Sequence, residues 1–360
     1  MRYKPDFETV RQRLLAFWEG EVLDRPCIAV TAPKTPEASR QEARPADPEA
    51  LRASWTDPQI IRRDFLRKLE GTYLGGDAMP VIPQNHGTSG HCTYFGAEPL
   101  YDQETIWFRP ALEGLEPERL RYRPGVLARH LAITEYLAAH AADDYLIGMP
   151  DSCGTLDALA HLYGSGELLI AMLEEPDAVA RAIRIVNDGW ADSNERFYQA
   201  AYAANRGGCA HPWMHLWAPG RLQHMQCDLS VMISPDMFER LVAPELEQQM
   251  EWSAYPVYHF DGIEQERHLG HLLSLSKLRA IQWTNVDGQA PPRAYLSVLK
   301  RIQAAGKNLI LMTPAQDVPE LLKNLSPAGL YLHCRAGSPE EADALVRCAA
   351  KSVMQTTPRS

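Results

Sequence analysis

The chain has 360 residues, 45% hydrophobic and 23% charged, which describes a globular protein able to bury one large core. Its formal charge of −10 is spread along the sequence with no run of Lys or Arg, which argues against nucleic acid and membrane surfaces as partners. Seven scattered cysteines without a CxxC pair argue against a disulfide framework and a zinc ribbon, and no apolar run approaches the ~18 residues that span a bilayer. The opening MRYKPDFETVRQRLLAFWEG is charged and amphipathic, unlike a signal peptide, so the expected compartment is the cytoplasm.

In chain order, the periodicity predicts a helix over 7–19, a strand at PCIAV, a Pro-rich surface loop over 34–50, a helix over 58–69 and a strand at AMPVI. From residue 145 short apolar runs alternate with helical patterns. YLIGMP is followed by a helical tract to about residue 205, then CAHPWMHLW, a helix over 235–253 and PVYHF. Next come a helix over 265–275, AIQW, a helix over 292–305, NLILM, a short helix over 318–324, LYLHC and a helix over 339–351. Ser234 and Ser338, each before a proline and an acid, mark two helix starts.

Repeated strand–helix units imply parallel strands joined by crossovers. About eight such units predict an α/β fold of the (β/α)8 TIM-barrel kind, one domain over 1–360, with residues 1–75 as an N-terminal helical extension and first strand region. A doubly wound open sheet is the structural alternative. No GxGxxG or GxxxxGK[ST] turn follows a strand, so its nucleotide-binding versions lack their main support.

In such folds chemistry gathers at the C-terminal ends of the strands. Reading the residues there gives Asp151 after YLIGMP, His211, His215 and Trp217 in CAHPWMHLW, and His259 and Asp261 after PVY. Gln282, Trp283 and Asn285 follow at AIQW, then His333 and Cys334 at LYLHC. His259, Asp261 and Cys334 offer the three ligand types of a zinc ion with an open fourth position, and the i, i+2 spacing of the first two puts them on one face. Each residue also has an ordinary role: a strand-end His is often hydrogen-bonded, an Asp before Gly often shapes a turn, and a Cys in an apolar strand is often a small hydrophobe.

Around these ligands, Asp151 and Asp228 are candidate catalytic carboxylates, with helix capping and ion pairing as their ordinary alternatives. Gln282 and Asn285 are candidate contacts to a polar substrate. Trp217 and Trp283 could wall a methylated cation or simply pack, and His86 in the glycine-rich NHGTSGHC could reach the same mouth or belong to a turn. His268 and His271 fall on the helix after HFDG and read as surface.

At PVYHFDG, AIQW and LYLHCRAGSPEEADALV the chain resembles the uroporphyrinogen decarboxylase superfamily, and within it the branch with cobalamin-dependent and coenzyme M methyltransferases. QCDLSVMISPDMFERLVAPELEQQ is similar to the segment where these proteins pass from a strand end into a helix, and the likeness spans roughly 205–350. The resemblance implies a (β/α)8 barrel and a zinc methyltransferase site, in which a His-x-Cys and a distal Cys hold a metal that activates a thiol. His259 matches the His and Cys334 the distal Cys, while Asp261 stands where the first Cys belongs. A harder carboxylate ligand makes a stronger Lewis acid and admits iron as well as zinc.

VTAPKTPEASR lacks the arginine-rich carboxylate-binding pattern that follows the first strand in the decarboxylases, so porphyrinogen decarboxylation is not expected. The expected function is therefore methyltransferase-like activation of a small thiol or polar substrate, with cobalamin reached only through a partner corrinoid protein. A metal-free decarboxylase or lyase using Asp151 or Asp228 is the alternative. A noncatalytic component that presents a ligand to a corrinoid protein is a third.

Overall fold

The computed structural model describes residues 1–39, 43–284 and 286–354. The strands are β1 (Cys27–Pro33), β2 (Thr72–Gly76), β3 (Val81–Ile82), β4 (Glu98–Tyr101), β5 (Ile106–Arg109), β6 (Leu146–Ile147) and β7 (Cys209–His211). They continue with β8 (Leu216–Ala218), β9 (Leu222–Met225), β10 (Tyr255–Phe260), β11 (Ala280–Trp283), β12 (Asn308–Met312) and β13 (Leu330–Arg335). Seven of them form one sheet in the order β2-β1-β13-β12-β11-β10-β9, parallel except for the β1–β2 pair.

β3 and β6 form a parallel pair, and a parallel bridge from Gly148 to Ala210 joins that pair to β7. β4–β5 and β7–β8 are antiparallel hairpins. The expected strand–helix alternation is present from β9 to the end, while CAHPWMHLW, read as one strand, is the β7–β8 hairpin. Among the described residues the hydrogen-bonded ladders do not close into a ring, and β9 is a strand that the sequence pattern did not announce. The final strands are apolar almost throughout because helices cover one face and the interior the other; NLILM and AIQW are buried along nearly their whole length.

Both serine starts hold. Ser234 Oγ accepts from Met237 N at 3.2 Å and Ser338 Oγ from Glu341 N at 3.3 Å. The helix expected over 235–253 is interrupted by a π-helical turn, Phe238–Val242, before it resumes at Ala243–Trp252. Pro244 has no N–H for the carbonyl one turn back, and the chain widens there. The loop expected over 34–50 ends in a helix, Pro48–Thr56, capped by Asp47.

The first helix, Phe7–Trp18, sits against the N-terminal ends of the parallel strands. Trp18 Nε1 donates to Trp217 O at 2.9 Å, Asn308 Nδ2 donates to Phe17 O at 2.8 Å, and the Trp18 and Tyr255 rings meet edge-on. The strand bottoms thus carry the first helix, and the strand-end candidates lie on the opposite side. Nothing in the described helices is both long and apolar enough to cross a membrane.

Glu245, on the helix Ala243–Trp252, is buried and accepts from Thr155 N at 2.6 Å at the start of the helix Thr155–Tyr163. Burial pushes its carboxyl up to about 8. As pH rises past about 4.5 the unfolded chain loses this proton while the folded chain keeps it to about 8, so stability falls across that window. The limit is about 1.4 kcal/mol per pH unit. Melting temperatures of Glu245→Gln should fall less between pH 5 and 8 than those of the unaltered protein, since every other titrating group is common to both.

Candidate functional site

The strand register decides which strand-end residues can meet. His259 pairs with Gln282, Gln282 with Ile310, and Ile310 with Tyr331, so these four share one face of the sheet. Cys334 lies three residues beyond Tyr331 and so on the opposite face, where Glu341 of the last helix is its charged neighbour. Burial pushes the Cys334 thiol up to about 12. His333 takes the inner face instead, with its ring centroid 5.1 Å from that of His215. The structure brings His259 and Asp261 together and does not bring Cys334 to them.

The third place beside His259 and Asp261 belongs to Asp228. One ligand-type atom from each of Asp228, His259 and Asp261 lies within 4.8 Å of the others. His259 Nε2 faces Asp261 Oδ1 at 3.8 Å, too far for a hydrogen bond. Its Nδ1 is held by Gln282 Oε1, the residue directly beside it in the register. Asp228 Oδ2 accepts from Gln226 Nε2 at 2.9 Å, while the buried Oδ1 has no partner.

The loops that carry these acids are braced from beneath. Asp157 accepts from Asp228 N at 2.9 Å and Leu229 N at 3.1 Å. Gln265 is fully buried and ties the two loops together: its Oε1 accepts from Asp261 N at 3.1 Å, and its Nε2 donates to Cys227 O at 3.1 Å. Gly262 has φ +79°, and a Cβ there would come within 2.4 Å of Gln289 Oε1, so the turn after Asp261 requires glycine.

A second group of ligand-type atoms lies alongside: Asp151, Cys153 and His224. His224 is fully buried, with Nδ1 2.8 Å from His211 Nε2 and Nε2 2.8 Å from Asp151 Oδ1. That second approach is off the line a hydrogen bond requires, so Nε2 and Oδ1 have no aligned partner. Met225 pairs with Tyr258, which sets His224 beside Val257 on the same face as His259 and one pleat below it. The His224 and His259 ring centroids are 6.3 Å apart.

The electrostatics separate the carboxylates. Burial pushes Asp228 up to about 7, helped by the charges of Asp261 and Asp151. Asp157 rises to about 7 through burial and then the charge of Asp228. For Asp151 the effect of burial is outweighed by His224 and His259, and its carboxyl is held below the usual value. Burial and the neighbouring His224 keep both His211 and His259 below the usual histidine value.

Of the other sequence candidates, Trp217 is buried with Nε1 donating to Asn205 O at 2.9 Å, and Trp283 is buried with its ring stacked on Phe260. Neither faces the acids. His86 is buried and stacked on His130, with ring centroids 3.9 Å apart, and belongs to neither ligand group. Asn285 lies outside the described residues. The aromatic wall is supplied by Trp213, half-buried and edge-on to His211, His224 and His259 at 4.9, 5.4 and 5.6 Å. It stands in CAHPWMHLW between two histidines that the sequence reading did mark.

No protein-family model matches the sequence, and a search of curated proteins finds no match. Among solved structures the chain is similar to a methyltransferase from Methanosarcina mazei, with TM-score 0.59 and 14% identity over 96% of this chain and 99% of that one. It also matches a B12-independent methionine synthase from Shewanella sp. W3-18-1, with TM-score 0.44 and 10% identity over 92% of this chain and 98% of that one. The first likeness shows a shared fold along nearly the whole length of both chains.

Proposed function

We propose that the protein is a metal-dependent enzyme of the methyltransferase type, in which Asp228, His259 and Asp261 hold a divalent ion, zinc or iron, beside a substrate pocket walled by Trp213. The observation that carries this reading is the gathering of three ligand-type atoms within 4.8 Å, with His259 Nδ1 already occupied. A ligating imidazole usually has its other nitrogen tied in this way. The unpartnered Asp228 Oδ1 is a second sign that a cation fits. The fold shared with a methyltransferase supports the transferase class. In this reading the six mutually parallel strands of the large sheet, β1 and β9 to β13, and the β3–β6 pair are the eight staves of one (β/α)8 barrel, with β7 sharing the position of β9 and the antiparallel β2 outside it.

A divalent ion held there would act as a Lewis acid, lowering the pKa of a substrate thiol so that it is a thiolate near neutral pH. The chain's own residues do the rest. Gln282 Oε1 accepts the His259 Nδ1 proton and fixes the tautomer that leaves Nε2 free. Gln265 holds the Asp228 and Asp261 loops in one relation, and the half-buried Trp213 ring covers one side. The methyl group would come from methylcobalamin on a partner corrinoid protein or from a small methylated donor.

A second reading has its own observation: Asp151 is held low while Asp228 rises to about 7, an ionised base beside a protonated acid, as a metal-free lyase or decarboxylase requires. One experiment separates the two. Purified protein should contain zinc or iron by elemental analysis and should demethylate methylcobalamin with one of a panel of small thiols, and chelation should abolish that turnover. Metal-free protein that stays metal-free after incubation with zinc would exclude the first reading, and turnover that survives chelation would favour the second. Gln282→Leu releases His259 Nδ1 and should weaken zinc about 10- to 100-fold with the fold intact, measured by competition with a chromogenic chelator.

A further inference from the structure

The geometry points to a mouth that takes two divalent cations, the second held by Asp151 and His224 with the Cys153 thiol in reach. This rests on the reading of Asp228, His259 and Asp261 as the first cation site. His224 repeats the arrangement of His259 one pleat lower. Its Nδ1 is engaged by His211 at 2.8 Å, and its Nε2 is turned to a carboxylate without a hydrogen-bond alignment. The buried His224 Nε2 and Asp151 Oδ1 face each other at 2.8 Å with no aligned hydrogen bond, so a cation beside the pair would take one nitrogen and one oxygen ligand from it.

The ligand atoms divide into two sets. Each set lies within 4.8 Å, and no three-residue set draws on both. The charge count agrees. Asp261 and Asp151 both act on Asp228, yet among the described residues none of the three forms an ion pair with Lys or Arg. With Cys153 as a thiolate the four anionic ligands match two divalent ions, whereas three carboxylates alone exceed the charge of one. Cys153 is fully buried, with Sγ 3.2 Å from Ser89 Oγ, and can add a soft ligand to the second set. Imidazole, carboxylate and thiol together suit zinc or iron, and manganese can serve as a probe. Two such ions side by side would receive an anionic oxygen or sulfur of the substrate.

The test is stoichiometry. Protein stripped with chelator and titrated with zinc alone should bind two equivalents by elemental analysis, and His224→Ala and His259→Ala should each bind one. Loaded with Mn²⁺, the unaltered protein should give an exchange-coupled paramagnetic resonance signal, which His224→Ala converts to that of an isolated ion. If His224→Ala fails to fold, His224→Gln and the signal of the unaltered protein decide. A single equivalent that survives His224→Ala and is lost in His259→Ala, or isolated Mn²⁺ signals in the unaltered protein, would overturn the two-ion centre and leave the single-site reading standing, whereas a single equivalent that survives His259→Ala would overturn both. No bound ion at all would overturn both.

Discussion

Replacing His259 by alanine should cost the protein the ion held at Asp228 and Asp261, and with it thiol-dependent demethylation of methylcobalamin. Loss of a nitrogen ligand must exceed the 10- to 100-fold typical of disturbing a residue behind a ligand, so a zinc affinity loss of more than about 100-fold is expected. The side chain is nearly buried and its strong contact is with Gln282, whose amide oxygen still accepts from Thr284 Oγ1 at 3.3 Å, so its removal leaves a small cavity and a weakened hydrogen bond. That costs ~1–3 kcal/mol, which the fold should tolerate. Asp228→Asn should act in the same direction with less disturbance, because it keeps the shape and the contact to Gln226. Cys334→Ser is the informative control. The register puts that sulfur on the far face of β13, so zinc content and turnover should both be retained. Loss of the ion in Cys334→Ser with retention in Asp228→Asn would reverse the assignment of the third ligand.

The contrast between Asp228 and Cys334 shows what the sequence could and could not carry. His259 and Asp261 were legible because their i, i+2 spacing fixes a common face within one strand. Whether Cys334 faces the same way depends on pairing through three intervening ladders, a long-range property that no local pattern encodes. Trp283 follows Gln282 directly and is turned outward by the same alternation. The chain from β10 onward was readable as strand and helix because its strands are apolar runs bounded by turn signals.

β9 was not readable, for a physical reason. LQHM carries Gln223 and His224 at fully buried positions, where their polar atoms bond to Ser152, Asn194 and His211. A polar residue inside a strand looks like loop until its partners are known, and so His224 was missed although His211 was marked. β3 and β6, with two residues each, are too short to show any period.

Asp77→Ala should be the most destabilising single change in the chain, by ~3–5 kcal/mol. Asp77 is fully buried and accepts from Arg13 Nη1 at 2.7 Å, Arg25 Nη1 at 2.6 Å and Ile28 N at 2.8 Å. It thus joins the first helix, the entry to β1 and the exit from β2 through one carboxylate. Alanine would leave the buried Arg25 without its carboxylate, while Arg13 keeps Asp24 at 2.6 Å. The cost should therefore fall mainly on Arg25 and on the Ile28 amide. Urea unfolding should show a lower midpoint at unchanged slope, since the surface exposed on unfolding is the same. Combining Asp77→Ala with Arg25→Met should recover much of the loss, because an apolar side chain of similar volume needs no counter-charge. Arg25→Met alone should cost less than Asp77→Ala, as the carboxylate would still have Arg13. Zinc binding by the folded fraction should be unaffected in all three, because this cluster sits by the first helix, which packs at the strand bottoms, and the candidate ligands sit at the opposite ends. If Asp77→Ala lost zinc while its unfolding midpoint held, the two ends of the sheet would be coupled in a way that the packing does not predict.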